Sequence, residues 1–149
     1  MNKIIILAIF FCISAMATEK DIRTPLEAFY GDTQFALIEC GISFRLFQVR
    51  SKLNENGAGE ANDPDSDYLG CIDKNLKKTA LIYRRAAKKV INKPKAAGAL
   101  KSYYAAWISA LHGISPGDDE TKLTYAARQT AAQNRLIELW AAVGIELLP

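Results

Sequence analysis

Apolar residues recur three and four positions apart through much of the first half of the chain. Between residues 35 and 53 the recurring positions are Phe35, Ile38, Ile42, Leu46, Val49 and Leu53. This spacing places them along one side of an α-helix. The stretch 42–49 also alternates as a strand would, and Gly41 costs a helix about 1 kcal/mol. Because the stripe is longer than a typical strand, we favour a helix.

The segments on either side of this stripe carry residues that are typical of helix ends and loops. Upstream, Thr24-Pro25-Leu26-Glu27 has the form of a capping box with proline at the first helical position. It predicts a short helix that stops at Gly31, after which Asp32 can cap the longer helix. Downstream, residues 54–67 read "NENGAGEANDPDSD". Their glycine, asparagine and aspartate content predicts an acidic loop.

A second helix is predicted from about Asp67 to Ile91, and its two sides differ in character. At about 100° per residue, one side is predicted to face the core and carries Ile72, Leu76, Thr79, Ala80, Tyr83, Ala86, Ala87 and Val90. The opposite side, called here the basic face, carries Lys74, Lys77, Lys78, Arg84, Arg85, Lys88 and Lys89, with Leu81 in the middle. Ile82 lies at its border.

Two more helices complete the predicted fold. The third runs from about Pro94 to Leu111 and ends before Gly113, and the fourth follows "SPGD" (115–118) and runs to about Val143. Abundant alanine allows close helix packing. The pattern predicts an all-α fold, a small four-helix domain of the up-and-down type.

The N-terminus predicts export. One lysine precedes an apolar run from Ile4 to Ile13, and Ala15-Met16-Ala17 fits a small-residue cleavage site. We therefore expect a signal peptide at 1–17, and a single helical domain at 18–149 in the periplasm or outside the cell. Cys40 and Cys71 are the cysteines left, and in an oxidising compartment we expect them to pair. A catalytic thiol is disfavoured, since no activating histidine lies nearby in the sequence.

The basic face has three interpretations at this level. It is a solvated helix surface whose long stems shield one leucine, or the acidic loop folds back and neutralises it, or it binds a partner. An apolar residue ringed by cations resembles the centre of an interface whose rim steers an acidic protein. Nucleic acid does not fit an exported chain, while an anionic membrane surface remains open. The oligomeric state is left undetermined.

No segment has the pattern of a catalytic or metal site. Asp63, Asp65 and Asp67 begin like a calcium loop, but Tyr68 and Lys74 occupy the positions that need glycine and glutamate. His112 is the only histidine and sits at a predicted helix end. We expect a protein without enzymatic activity, metal or cofactor.

One known family is similar in the order of its residues. Cys71, Leu76 and Tyr83 precede "LKSYYAAWISAL", in which Leu100-Lys101 stand shortly before Trp107-Ile108; Arg128, Arg135 and Leu139 follow. Over roughly residues 71–140 this order resembles the LprI-type periplasmic lysozyme-inhibitor family. The chain departs from that family at Tyr104-Ala105-Ala106 and at Ser109 to His112. The resemblance implies a helical protein that binds a cell-wall enzyme.

These features together predict an exported binding protein, an inhibitor of a cell-wall hydrolase or an immunity protein against one. The alternative is an envelope adaptor or structural component that holds its basic face against anionic lipid or an acidic protein.

Overall fold

The computed structural model describes residues 3–55 and 68–148, with side chains described for residues 24–53 and 68–148. Within them the chain forms four helices: α1 (Lys3–Glu55), α2 (Tyr68–Lys89), α3 (Pro94–His112) and α4 (Lys122–Ile145). No strand occurs in these ranges, so the helical interpretation of residues 42–49 is confirmed. The all-α four-helix prediction is confirmed with it. The side chains of the predicted signal peptide and nearly all of the predicted acidic loop lie outside the described residues.

Helix α1 is continuous where the sequence predicted a break. It runs through Gly31 and Gly41, and Pro25 lies inside it. The predicted capping box at Thr24, the stop at Gly31 and the new start at Asp32 are therefore wrong, and the helix also includes Asn54 and Glu55 of the predicted loop. A helical glycine costs about 1 kcal/mol, and tertiary packing of the buried face offsets that cost.

The buried face of α1 is not the stripe that predicted the helix. The buried side chains are Leu26, Phe29, Thr33, Ala36, Cys40 and Phe44. All six residues of the stripe that begins at Phe35 and ends at Leu53 are exposed. Small residues such as Thr33 and Ala36 lie inward because large rings from α3 and α4 fill the space in front of them.

Helices α1 and α2 pack antiparallel. The disulfide Cys40–Cys71 joins them with a Cα–Cα distance of 5.6 Å, which confirms the predicted pairing. On one side of it the ring of Phe44 meets that of Tyr68 at 5.0 Å, and on the other side Phe29 meets Tyr83 at 5.7 Å. The predicted core side of α2 is buried or half-buried along its whole length, so this part of the prediction is confirmed.

Helix α3 supplies the centre of the core. Tyr103 and Trp107 are fully buried, and both reach α1: the hydroxyl of Tyr103 lies 2.6 Å from that of Thr33, and Trp107 Nε1 donates to the carbonyl of Thr33 at 2.9 Å. Thr33 in turn donates to the carbonyl of Tyr30. Burial raises the pKa of Tyr103, although the hydrogen bonds with Thr33 and Gln34 oppose this rise.

Side chains of α4 hold the segment that follows α3, and Arg128 makes the largest number of these bonds. Gly113 follows α3 as predicted, but its φ of −82° is not left-handed. A Cβ there would lie 2.5 Å from Arg128 Nη1, so this position admits only glycine without a shift of the arginine. Arg128 donates to the carbonyls of Gly113 and Ser115 and also binds Glu120. Thr121 caps α4, accepting from the backbone N–H of Thr124.

Candidate interaction surfaces

The basic face of α2 is exposed because the opposite side of the helix is used for the core. Ile72, Asn75, Thr79 and Ala86 are buried against α1 and α3. All seven predicted cations are exposed, and Leu81 is 58% exposed. Helical geometry brings residues three and four positions away next to Leu81. Its four such neighbours are Lys77, Lys78, Arg84 and Arg85, so cations surround it on both sides along the helix.

The N-terminal half of the basic face is held by carboxylates. Lys74 pairs with Glu39 at 3.3 Å, and Lys77 with Asp73 at 2.6 Å. Lys78 forms an ion pair with Asp32, whose second oxygen accepts a hydrogen bond from Thr79 at 2.8 Å. Acidic side chains of α1 and of α2 itself therefore neutralise this half. Residues 56–67 lie outside the described residues, so neutralisation of the basic face by the acidic loop stays a prediction.

Asn75 links this ion-pair network to the disulfide. Its side-chain amide donates to Glu39 Oε2 at 3.0 Å and to the carbonyl of Cys71 at 3.1 Å, and it lies 3.4 Å from the sulfur of Cys40. The hydrogen bond from Asn75 is the largest influence that lowers the pKa of Glu39, and Lys74 adds to it against the opposing effect of burial. The carboxylate of Glu39 is thus held in its charged form beside the disulfide.

The C-terminal half of the basic face is different. Arg84, Arg85 and Lys88 make no ion pair with any residue in the described ranges, whereas Lys89 makes an interaction of its own. Beyond them Ile91, in the turn after α2, is 72% exposed. We give the name Leu81 patch to the three unpaired cations together with the two exposed apolar residues near them: Leu81, Arg84, Arg85, Lys88 and Ile91.

On the side of α2 opposite Leu81, three aromatic rings stack on one another. Tyr83 stacks on Tyr104 with ring centroids 4.2 Å apart, and Tyr104 stacks on Trp107 at 5.7 Å. Burial and the neighbouring Tyr83 raise the pKa of Tyr104, while Arg84 acts in the opposite direction. Tyr103 and Trp107 are buried, and Tyr104 and Trp140 are half-buried.

A second surface lies on α1, away from α2. The sequence pattern identified its residues as one side of a helix but did not indicate that this side stays exposed. Its residues are the exposed stripe described above, and beside it a groove of about 620 Å³ opens between α1 and α4. Ile38, Ile42 and Gly41 line the groove on the α1 side, and Tyr125 and Leu136 line it on the α4 side. The sequence contains evidence for this surface, because α1 carries two apolar stripes and a single core can bury only one of them.

No metal site is found among the described residues, where no group of three or more histidine, cysteine, aspartate or glutamate side chains could hold an ion. The candidate calcium ligands Asp63, Asp65 and Asp67 lie outside those residues. His112 is exposed at the end of α3, as expected. No helix in the described part of the chain is both long and apolar enough to span a bilayer.

The chain matches no protein-family model, no curated protein and no solved structure. The resemblance to the LprI-type inhibitor family therefore stays a prediction. Of the residues that carry it, Leu100 and Trp107 are fully buried and Arg128 fixes the α3–α4 connection.

Proposed function

We propose that this chain is an exported, non-enzymatic binding protein that occludes a cell-wall hydrolase, as an inhibitor or as an immunity protein. The observation that carries the proposal is the Leu81 patch: one exposed leucine flanked by cations that have no carboxylate partner in the described part of the chain. Acids of α1 and α2 compensate the cations of the other half, so the positive charge that is open to a partner is concentrated in this part of the basic face.

The chemistry of the patch defines the partner. A leucine that enters a shallow apolar pocket contributes affinity at the centre of an interface, where water is excluded. Arg84, Arg85 and Lys88 around it attract an acidic surface and orient the approach. The target is therefore a hydrolase whose rim is acidic, since a basic enzyme would be repelled by the same cations.

The test is a titration of the purified chain against a panel of muramidases and amidases that includes acidic members. We expect inhibition of at least one acidic enzyme, with an association rate that falls as ionic strength rises. Arg85→Glu should slow association, whereas Lys122→Glu, which reverses an exposed cation at the start of α4, should not. If the chain neither binds nor inhibits any enzyme of the panel, the proposal is wrong.

The same unpaired cations favour one second candidate, an envelope adaptor that binds anionic lipid. Flotation with vesicles of phosphatidylglycerol and phosphatidylcholine separates the two functions. Salt-sensitive binding to the anionic vesicles that cell-wall enzymes do not compete for would favour the adaptor. Binding to the enzyme without flotation would favour the inhibitor.

A further inference from the structure

The exposed stripe of α1 is a continuous apolar patch at the upper end of the sizes found on monomer surfaces. Its six residues, from Phe35 to Leu53, are each between 45% and 61% exposed. Side chains of this size leave on the order of 500–600 Å² of apolar area in one strip, a size at which exposed patches usually mark an interaction site. The strip covers residues 35–53, which corresponds to roughly 27 Å of helix.

The C-terminal end of α1 buries little of its side-chain surface within the described part of the chain. Phe44 is the last buried residue of α1, and from Arg45 to Leu53 every side chain is exposed except the half-buried Ser51. The ring of Phe47 meets that of Tyr68 at 5.3 Å, but a short helical segment with so little buried surface is marginal in water. The segment 56–67 offers no large apolar side chain that could cover the strip, since its only apolar residues are alanines.

The spacing of the residues in the stripe indicates that a second copy of the same stripe can pack against it. From Phe35 through Ile38, Ile42 and Leu46 to Val49 the spacings are three, four, four and three. This order is symmetric about Ile42. An interface between two copies related by a two-fold axis must be self-complementary, and a stripe that reads the same from either end meets this requirement when the two helices run antiparallel.

We propose that two copies of this chain associate through α1, antiparallel, with Ile42 of each copy at the two-fold axis. Phe35 then lies level with Val49 of the other copy, and Ile38 lies level with Leu46. Leu53 at the end of the stripe lies level with Gly31, where there is no side chain and the surrounding space is open.

The area agrees with a dimer. Two stripes and the aliphatic stems beside them, such as that of Arg45, bury roughly 1,200 Å² in total, which is at the lower end for specific interfaces and above most crystal contacts. The association uses α1, so it leaves the Leu81 patch on α2 open and does not rest on the function proposed above.

Sedimentation equilibrium of the oxidised chain over about 1–100 μM tests the association. We expect a reversible dimer, and Ile42→Glu should weaken it at least tenfold while leaving the helical circular dichroism unchanged. The matched control is Ile137→Glu, which places the same charge at an equally exposed isoleucine on α4 and should leave the dimer intact. A chain that stays monomeric throughout, or a dimer that survives Ile42→Glu, overturns the proposal.

A cross-linking experiment tests the register with a short bismaleimide, the native cysteines being protected by their disulfide. Ile42→Cys should cross-link to itself. Phe35→Cys and Val49→Cys should each fail to cross-link alone and should do so when the two variants are mixed. Self-linking of Phe35→Cys would indicate parallel helices, and failure of Ile42→Cys would place the axis elsewhere; either result overturns the arrangement.

Discussion

Arg128 and Glu120 form a two-pronged ion pair, with Nε 2.8 Å from Oε1 and Nη2 2.7 Å from Oε2. The remaining donors of the guanidinium bind the carbonyls of Gly113 and Ser115. This side chain of α4, together with Tyr125 and Gln129, which donate to the carbonyls of Ile114 and Gly113, closes the connection between α3 and α4. Bidentate pairs of this kind are stronger and more directional than a single contact between surface charges.

This pair makes stability depend on pH in the acidic range. The hydrogen bond from Arg128 lowers the pKa of Glu120 from 4.5 to about 2. Because the folded-state pKa is the lower one, the stabilisation is complete above pH 4.5 and is lost as the pH falls towards 2. Glu120→Gln should lower the melting temperature at neutral pH, and its difference from wild type should vanish near pH 2. Glu138→Gln is the control: its ion pair with Arg135 is exposed on both sides, so this variant should change the melting temperature little at either pH.

Gly113→Ala tests the same connection sterically. The new Cβ would lie 2.5 Å from Arg128 Nη1 and 3.3 Å from the carbonyl oxygen of Ser109. We expect a loss of about 1–2 kcal/mol in unfolding free energy, since the arginine must give up some of its hydrogen bonds. Gly98→Ala, in α3 with open space around it, should instead stabilise by up to about 1 kcal/mol. Urea denaturation of both variants measures the contrast, and equal effects would contradict it.

The helices could be predicted from sequence because their periodicity is a local property. The faces of α1 could not, because the choice between its two apolar stripes depends on α3 and α4. Tyr103 and Trp107 need small partners, so the side of α1 that carries Thr33 and Ala36 is buried and the side with Phe35 and Ile38 remains outside. The break predicted at Gly31 failed for the same reason, since packing on both sides of the glycine carries the helix through it.

The ion pairs of the basic face could have been found with one further step. Once Cys40 is paired with Cys71 in antiparallel helices, residues of α1 and α2 whose numbers add up to about 112 lie level with one another. This rule places Glu39 beside Lys74 and Asp32 beside Thr79, as observed. The disulfide fixes the register, and the register shows which cations of α2 are already compensated.

The disulfide itself should contribute strongly to stability. Cys40 and Cys71 are separated by 31 residues in sequence, and closing a loop of this length stabilises the folded state by about 3–4 kcal/mol in the chain-entropy model. Cys40→Ser with Cys71→Ser should lower the unfolding free energy by that amount in chemical denaturation. Mass spectrometry without reductant provides the control, since two free thiols in the wild-type chain would contradict the bond.

The buried hydroxyls of Thr33 and Tyr103 should act as a unit. They lie 2.6 Å apart, and Gln34 also donates to the tyrosine oxygen. Removing one partner leaves the other partly unsatisfied in the core, so Thr33→Val and Tyr103→Phe should each cost about 1–3 kcal/mol. The double variant should cost clearly less than the sum of the two. Additive losses in a double-mutant cycle would show that the two hydroxyls do not depend on each other.

Leu81 decides whether the unpaired part of the basic face recognises a partner. Because the side chain is 58% exposed, Leu81→Ala should change the unfolding free energy by less than about 0.5 kcal/mol. If the Leu81 patch is the centre of an interface, the same variant should weaken partner binding by about 1–2 kcal/mol or more. Leu123→Ala, at an exposed leucine on α4, is the matched control and should change neither quantity.

The cations around Leu81 should act differently from the leucine and from each other. Arg85→Glu should slow association and reduce its salt dependence while leaving stability unchanged, since Arg85 has no ion pair in the described part of the chain. Lys78→Glu should also destabilise the fold, because it places a second carboxylate beside Asp32, whose side chain is only 10% exposed. Melting curves and association rates of the two variants separate a steering cation from a structural one.

A marked drop in the melting temperature of Leu81→Ala would mean instead that the leucine is an internal packing residue, and the Leu81 patch would then be no recognition surface.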